Sequence, residues 1–375
     1  MVLSAGLVGL ILVTLCVLHF GALPYFDRDM NALLAPVSYP VSERTRAFHE
    51  RTFVADMHAD SLLWRRKLQQ RNRRGHVDLP RLRDGGVDLQ VFSVVTSVPY
   101  AMNLESNRGD SDKLPILFLA AWRSPATWFS PRARALAQAR ELAELARLSS
   151  LSIVLRQGDL AGGGIKGLLS LEGMHALDAG PDALDEFYAA GFRMMGLAHF
   201  FDNEVAGSAH GVDRYGLTAF GRSLVSRMEA LGVTIDLAHA SPAAFADTLE
   251  IARKPVVVSH GGVHGTCPGP RNLSDAQLRG IAANGGVVGI GYWKAAVCDA
   301  SLQGITAAIR YAVRVAGVDH VGLGSDFDGT VAMPFDTSGL PMLTQSLLDA
   351  GLSEDDVAKI LGTNLRRVLA ANLPR

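Results

Sequence analysis

From about Phe53 onward, short runs of β-branched and Leu residues alternate with longer segments rich in Ala, Leu and Arg. The short runs are nearly continuous in apolar character, as strands covered on both faces are, and the long ones repeat apolar positions at helical spacing. The eight strands predicted are Phe53–His58, Val87–Thr96, Ile165–Leu171, Phe192–Ala198, Val233–Ala238, Pro255–Ser259, Gly286–Tyr292 and His320–Gly324. Helices are predicted over Arg132–Leu148, Thr218–Leu231, Ser241–Ala252, Ser274–Ala283 and Leu302–Ala316, with Ser353–Leu361 and Asn364–Ala371 closing the chain. Alternation of this kind implies a parallel sheet, and eight units fit a closed, TIM-like (β/α)8 barrel of class α/β; an open doubly wound sheet is the structural alternative. The rhythm breaks between Tyr100 and Ala161, which predicts added helices over the rim. Gly162-Gly163-Gly164 reads as a plain loop, because it precedes a strand rather than a helix.

The first residues follow a different pattern. Ala5 to Leu23 is almost wholly apolar, with His19 and the thiol of Cys16 its only ionisable groups. As a helix it is about long enough to cross a hydrocarbon core of roughly 30 Å. A cleaved signal peptide is the rival reading, but the start carries no Lys or Arg and Phe20-Gly21-Ala22 is a poor cleavage site. The expected layout is a transmembrane anchor over 1–24, a linker over 25–51 and one barrel domain over 52–375. Abundant Arg against sparse Lys suggests a bacterial source, so the expected setting is an inner membrane with the barrel in the periplasm.

A length of 375 residues suits one large domain, and a net charge of −1 gives no field that points to nucleic acid. Of the three cysteines only Cys267 and Cys298 could pair, which leaves the redox compartment open. The basic run from Arg65-Arg66-Lys67 to Arg71, Arg73 and Arg74 reads as a solvated face, with contact to anionic headgroups as the alternative.

Ligand-type side chains stand at the ends of several strands: His58 and Asp60 on the first, Glu172 on the third, His239 on the fifth and His260 on the sixth. Positions i and i+2 of a strand share a face, so His58 and Asp60 point together. Imidazole with carboxylate suits a borderline divalent ion such as zinc. On a closed barrel these ends converge on one mouth, whereas an open sheet would spread them along an edge.

Separated motifs carry a resemblance: Asp56-Met-His-Ala-Asp60, Leu171-Glu-Gly-Met-His175, Gly191 to His199, Ile235-Asp-Leu-Ala-His-Ala-Ser241, Ser259-His260 leading to Arg271-Asn272, and Gly322-Leu-Gly-Ser-Asp-Phe-Asp-Gly329. From about Phe53 to the last helices the chain resembles peptidase family M19, the membrane dipeptidases, among the amidohydrolase-like metal barrels. The resemblance implies two zinc ions, one held by His58, Asp60 and Glu172 and the other by Glu172, His239 and His260, with a bridging hydroxide that attacks the peptide carbonyl. It implies His199 facing the oxyanion, Asp326 handling protons and the substrate's amino end, and Arg271 clamping the free carboxylate. Dipeptides are the implied substrates, including those with a D-residue second; membrane attachment is through the N-terminal segment, and homodimerisation is left open. Tyr292 and Trp293 both stand where an oxyanion-side tyrosine is expected, with the register ambiguous by one residue. His175, His210 and His264 receive no role.

Two other functions remain in view. Metal barrels acting on lactones, phosphotriesters or cyclic amides often bridge their metals with a carbamylated lysine on strand four. Here strand four leads to His199, and Lys166 starts strand three. A non-catalytic barrel receptor would have lost a ligand, and none is missing.

Overall fold

The computed structural model describes the chain except residues 1–8, 11, 12, 35–37, 178, 179 and 181. All eight predicted strands form: β1 (Val54–Ala59), β2 (Val87–Val95), β3 (Lys166–Glu172), β4 (Phe192–Gly196), β5 (Thr234–Asp236), β6 (Val257–Gly261), β7 (Val287–Ile290) and β8 (Val321–Leu323). All neighbours pair in parallel; β1 bonds both β2 and β8, and β2 bonds β3 along its length, so the sheet closes and the open alternative falls. A two-residue strand, Ser152–Ile153, adds beside the start of β3.

Strand alternation divides the core. Ala55 and Met57 of β1, Leu89 and Val91 of β2, Leu168, Met194, Val257 and Val287 form one cluster with Leu365, Val368, Leu369 and Leu373 of the C-terminal segment. Their neighbours Val54, Leu169, Met195, Val258 and Val288 belong to the larger cluster shared with the surrounding helices. The C-terminal helix Asn364–Asn372 therefore closes the end of the barrel opposite the strands' C-terminal mouth. Helix starts follow the sequence: Ser130, Thr218, Ser241, Ser274 and Ser301 each accept a first-turn amide, satisfying a donor the helix cannot. The predicted Ser353–Leu361 helix is broken: Glu354–Ala358 gives way to a π-turn, Lys359–Thr363, before the last helix begins.

β4, β5, β7 and β8 stop one or two residues short of their predicted ends, and just beyond β5 and β8 the chain turns away from the sheet. His239 and Asp326 adopt left-handed φ angles of 63° and 64°, which no strand accommodates. The insertion before β3 supplies Leu114–Ala120 and the long helix Pro131–Arg147, as its composition predicts.

The N-terminal segment departs most from expectation. Residues 1–8, 11 and 12 of the predicted anchor lie outside the described residues, and among the described residues no helix is long and apolar enough to cross a membrane. A π-turn, Leu18–Ala22, runs into a helix, Leu23–Met30, that packs on the barrel, with Leu23 seated among Leu63, Trp64, Val98 and Phe118. Asp27, wholly buried, accepts from Arg74 Nε at 2.5 Å and lies 3.6 Å from Arg66 Nε. The predicted linker is structured too. Its helix Glu43–Arg51 buries His49, which bonds Thr344 Oγ1 at 2.7 Å and the Gly85 carbonyl at 2.9 Å. The basic run is accordingly not a plain solvated face: Arg66 and Arg74 are spent on Asp27, and Arg65 donates to the carbonyls of Ala121 and Trp122.

Candidate active site

The mouth gathers the predicted residues at one point. His58 is the penultimate residue of β1 with Asp60 just beyond the strand, Glu172 is the last residue of β3, His199 follows β4, His239 follows β5, and His260 lies in β6. All are buried. Glu172 Oε1 is central, 3.0 Å from His239 Nε2, 3.4 Å from His260 Nε2, 3.5 Å from His199 Nε2 and 3.6 Å from His58 Nε2. His58 Nε2 also lies 3.5 Å from Asp60 Oδ1 and 3.9 Å from Asp326 Oδ1. Arg271, on the loop after β6, brings Nη2 to 3.0 Å from His239 Nε2. One histidine neighbour is left to a backbone oxygen, His199 Nδ1 being 3.4 Å from the Ser97 carbonyl.

Donor atoms of His58, Asp60 and Glu172 fall within 4.8 Å of one another, as do those of Glu172, His239 and His260, and those of His58, His260 and Asp326. His58 Nε2, Asp60 Oδ1 and Glu172 Oε2 are buried with no hydrogen-bond partner among the described residues. Such atoms cost stability unless something pairs with them. The electrostatics point to a cation. Burial, with Asp60 beside it, holds Glu172 well above the usual carboxylate range, and burial pushes Asp326 up to about 7, with Asp60 adding to the rise and His58 and Arg271 opposing it. His58 is raised to about 10: burial opposes its charge, and Glu172, Asp60 and Asp326 outweigh that. His199, His239 and His260 go the other way, driven well below the ordinary imidazole value by burial first and then by neighbouring imidazoles and Arg271. Neutral imidazoles around crowded carboxylates form the donor set a divalent metal requires.

A supporting layer, invisible in the strand-end pattern, fixes these groups. Asp56 accepts from the His58 amide and from both the amide and hydroxyl of Ser325, each at 3.0 Å, tying β1 to the loop that carries Asp326. Asp236 accepts from the amides of Ala238 and Ser259, which sets β5 against β6. Ser259 Oγ lies 2.9 Å from His260 Nδ1 and orients that ring. The signal available in sequence was the repeated acid two or three residues ahead of a ligand histidine, Asp56 before His58 and Asp236 before His239.

Asp326 and Asp328, two neighbours in one motif, separate cleanly. Asp328 is consumed by Ser61 Oγ at 2.6 Å, the His76 amide at 2.6 Å and Arg66 Nη2 at 2.5 Å. Asp326 faces His58. The Tyr292/Trp293 ambiguity also resolves: Tyr292 turns into the core against Phe327 and Phe335, while Trp293 stacks under Arg271 at 5.1 Å and approaches His260 at 6.0 Å. Cys267 and Cys298 form a disulfide that joins the Arg271 loop to the loop after Trp293. His210, left without a role, is buried and stacks on Phe200 at 5.0 Å beside His239. His175 is half-buried, its ring 6.1 Å from that of His199. Lys166 lies far from all of these, its Nζ bonded to the Gly162 carbonyl at 2.7 Å.

Comparison with known proteins agrees with this geometry. Residues 42–373 match the family described as Membrane dipeptidase (Peptidase family M19). An uncharacterized protein of Klebsiella pneumoniae is 39% identical over 215 residues, covering 53% of this chain and 79% of its own length. A dipeptidase of Aspergillus oryzae is 36% identical over 221 residues, covering 55% of this chain and 51% of its own. Among solved structures, a metallopeptidase from Rhodobacter sphaeroides, liganded with a phosphinate mimic of the dipeptide L-Ala-D-Ala, superposes with a TM-score of 0.72 at 25% identity, covering 86% of this chain and 99% of that one. The chain belongs to the membrane dipeptidase family, peptidase family M19, and is a metallo-dipeptidase.

Proposed function

We propose that the site holds two zinc ions, one on His58, Asp60 and Glu172 and one on Glu172, His239 and His260, with Glu172 shared. The observation that carries this reading is the position of Glu172 Oε1, within 3.6 Å of the ring nitrogens of His58, His239 and His260, which come from three other strands. Such a pair, when bound, supplies Lewis acidity and a nucleophile derived from water at neutral pH. The remaining work falls to the chain's own groups. Arg271 presents a planar fork suited to the C-terminal carboxylate of a dipeptide, and Trp293 beneath it holds that fork in place. His199 faces the scissile carbonyl, where a well-placed donor contributes about 2.7–4 kcal/mol to transition-state stabilisation. Asp326 accepts a proton during attack, returns it to the departing amine and receives the substrate's free amino end.

The favoured substrates are free dipeptides, including those with a D-residue second, as the ligand of the Rhodobacter protein suggests. Metal analysis of the purified protein with assays of L-Ala-L-Ala, L-Ala-D-Ala and the C-terminal amide of L-Ala-L-Ala tests this. Two zinc ions per chain and hydrolysis of the free acids alone are expected. Full activity with one ion or none removes the bridging role of Glu172, and equal turnover of acid and amide removes the carboxylate clamp.

A further inference from the structure

Beside Asp60 and His199 lies an apolar cavity of about 240 Å³ that no role given above uses. One part of its wall comes from the N-terminal segment, through Ala22, Phe26 and Met30; Trp64 and Leu114 are among the barrel and insertion residues that line the rest, with Lys113 the one basic side chain besides His199. Arg271 does not border it. That residue lines a separate small recess with His239 and His260. For a dipeptide whose carboxylate sits on Arg271 and whose amino group sits near Asp326, this cavity on the Asp60 side of the mouth is the space left beside its first residue.

We propose that the cavity receives the side chain of the substrate's N-terminal residue, and that the helix Leu23–Met30 sets its size and apolar character. The inference rests on the dipeptidase reading of the site. An apolar side chain entering it leaves water for an apolar lining, the usual source of affinity in such pockets. The wall is also held in place. Asp27 on this helix is buried against Arg66 and Arg74, and Arg66 in turn binds Asp328. Asn31 at the helix end donates to Asp27 Oδ1 at 3.0 Å and accepts the Thr330 amide at 3.0 Å. The amide of Met333 donates to the Ala32 carbonyl and that of Leu34 to the Met333 carbonyl, at 3.0 and 2.7 Å. The wall is thus tied to the same loop that carries Asp326, so helix and active site share one frame.

The test is kcat/KM of the zinc-loaded full chain for L-Phe-L-Ala, L-Ala-L-Phe and L-Ala-L-Ala, for the parent and for Ala22→Trp, which fills the cavity from the helix side. The ratio of Phe-Ala to Ala-Ala should fall about tenfold or more in the variant while the ratio of Ala-Phe to Ala-Ala moves less than about twofold, since small changes of apolar fit are worth tenfold and upward. An unchanged Phe-Ala ratio overturns the inference and leaves the dipeptidase reading standing. Equal falls for Phe-Ala and Ala-Phe overturn it too, by removing the preference for the first residue. A parent that cleaves none of the three removes the dipeptidase reading and this inference with it. Should Ala22→Trp be inactive on every substrate, Phe26→Ala decides: by enlarging the cavity it should raise L-Trp-L-Ala relative to L-Ala-L-Ala, and an unmoved ratio overturns the proposal.

Discussion

At the lower end of the barrel, Leu365, Val368, Leu369 and Leu373 fill the space between strand starts with apolar side chains, and the buried amides of Asn364 and Asn372 beside them donate to backbone carbonyls. At the upper end the same strands finish in His58, Asp60, Glu172, His239, His260 and Asp326, several with buried polar atoms that find no partner among the described residues. The backbone differs as well. His239, Asp326, Asp328 and Thr330 all hold left-handed conformations at the mouth, each a local cost that the rest of the fold must offset. The lower end gains stability and does no chemistry; the upper end loses stability to hold charged groups closer than they would choose. Division of this kind lets either end be altered with little effect on the other, and that independence can be tested.

The largest effect is expected from Asp326→Asn, which keeps size and hydrogen bonding but removes basicity. Its kcat should fall by roughly 10²–10⁴, the usual worth of a positioned acid–base group, with metal content and melting temperature unchanged. A loss under about tenfold would mean that Asp326 is not the proton carrier. Two residues on, Asp328→Ala should do the reverse: it removes one of the two carboxylates that enclose the buried Arg66, together with the acceptor for the Ser61 hydroxyl and the His76 amide, and costs about 3–5 kcal/mol of stability in denaturant titration, while kcat of the folded fraction holds. At the lower end, Leu369→Ala should cost about 2–5 kcal/mol with KM and kcat kept, and a change in KM there would break the proposed independence.

The smallest effect concerns pH. Burial holds His49 and His76 below the ordinary imidazole value of 6.5. Above that value both folded and unfolded chains carry these rings neutral, and nothing is lost. As pH falls through 6.5 the unfolded chain takes up protons that the folded chain refuses, so stability declines until the folded rings also titrate. Denaturant midpoints should drop on acidification, and replacing His49 with Gln should flatten the decline.

The barrel and the imidazoles and carboxylates that gather at its mouth were legible because both are local signals: an apolar run of strand length, closed by an imidazole or carboxylate that has no place in a core. What escaped depends on partners far along the chain. Asp27 looks like an ordinary flanking acid until Arg66 and Arg74 are seen around it, and Arg66 looks like a solvated base until Asp27 and Asp328 enclose it. The apolar run before Asp27 was read as a membrane span from its hydropathy, which does not encode that its last residue, Leu23, packs against Trp64 and Phe118. Trp293 was separable from Tyr292 only by the direction each side chain takes where β7 ends.

The bond from the Thr330 amide to Asn31 spans 299 residues of sequence, and β1 cannot complete its pairing until β8 has been made. Asp326, on the loop after β8, is thus among the last groups to reach the mouth, and the plug that seals the lower end comes later still. A nascent chain emerging from the ribosome holds most of its metal-binding side chains long before it can enclose them. Contacts this distant in sequence make closure of the ring a late and slow event. The enzyme's maturation is therefore timed by the emergence of the helix Asn364–Asn372, and activity should first appear only after that segment has left the ribosome.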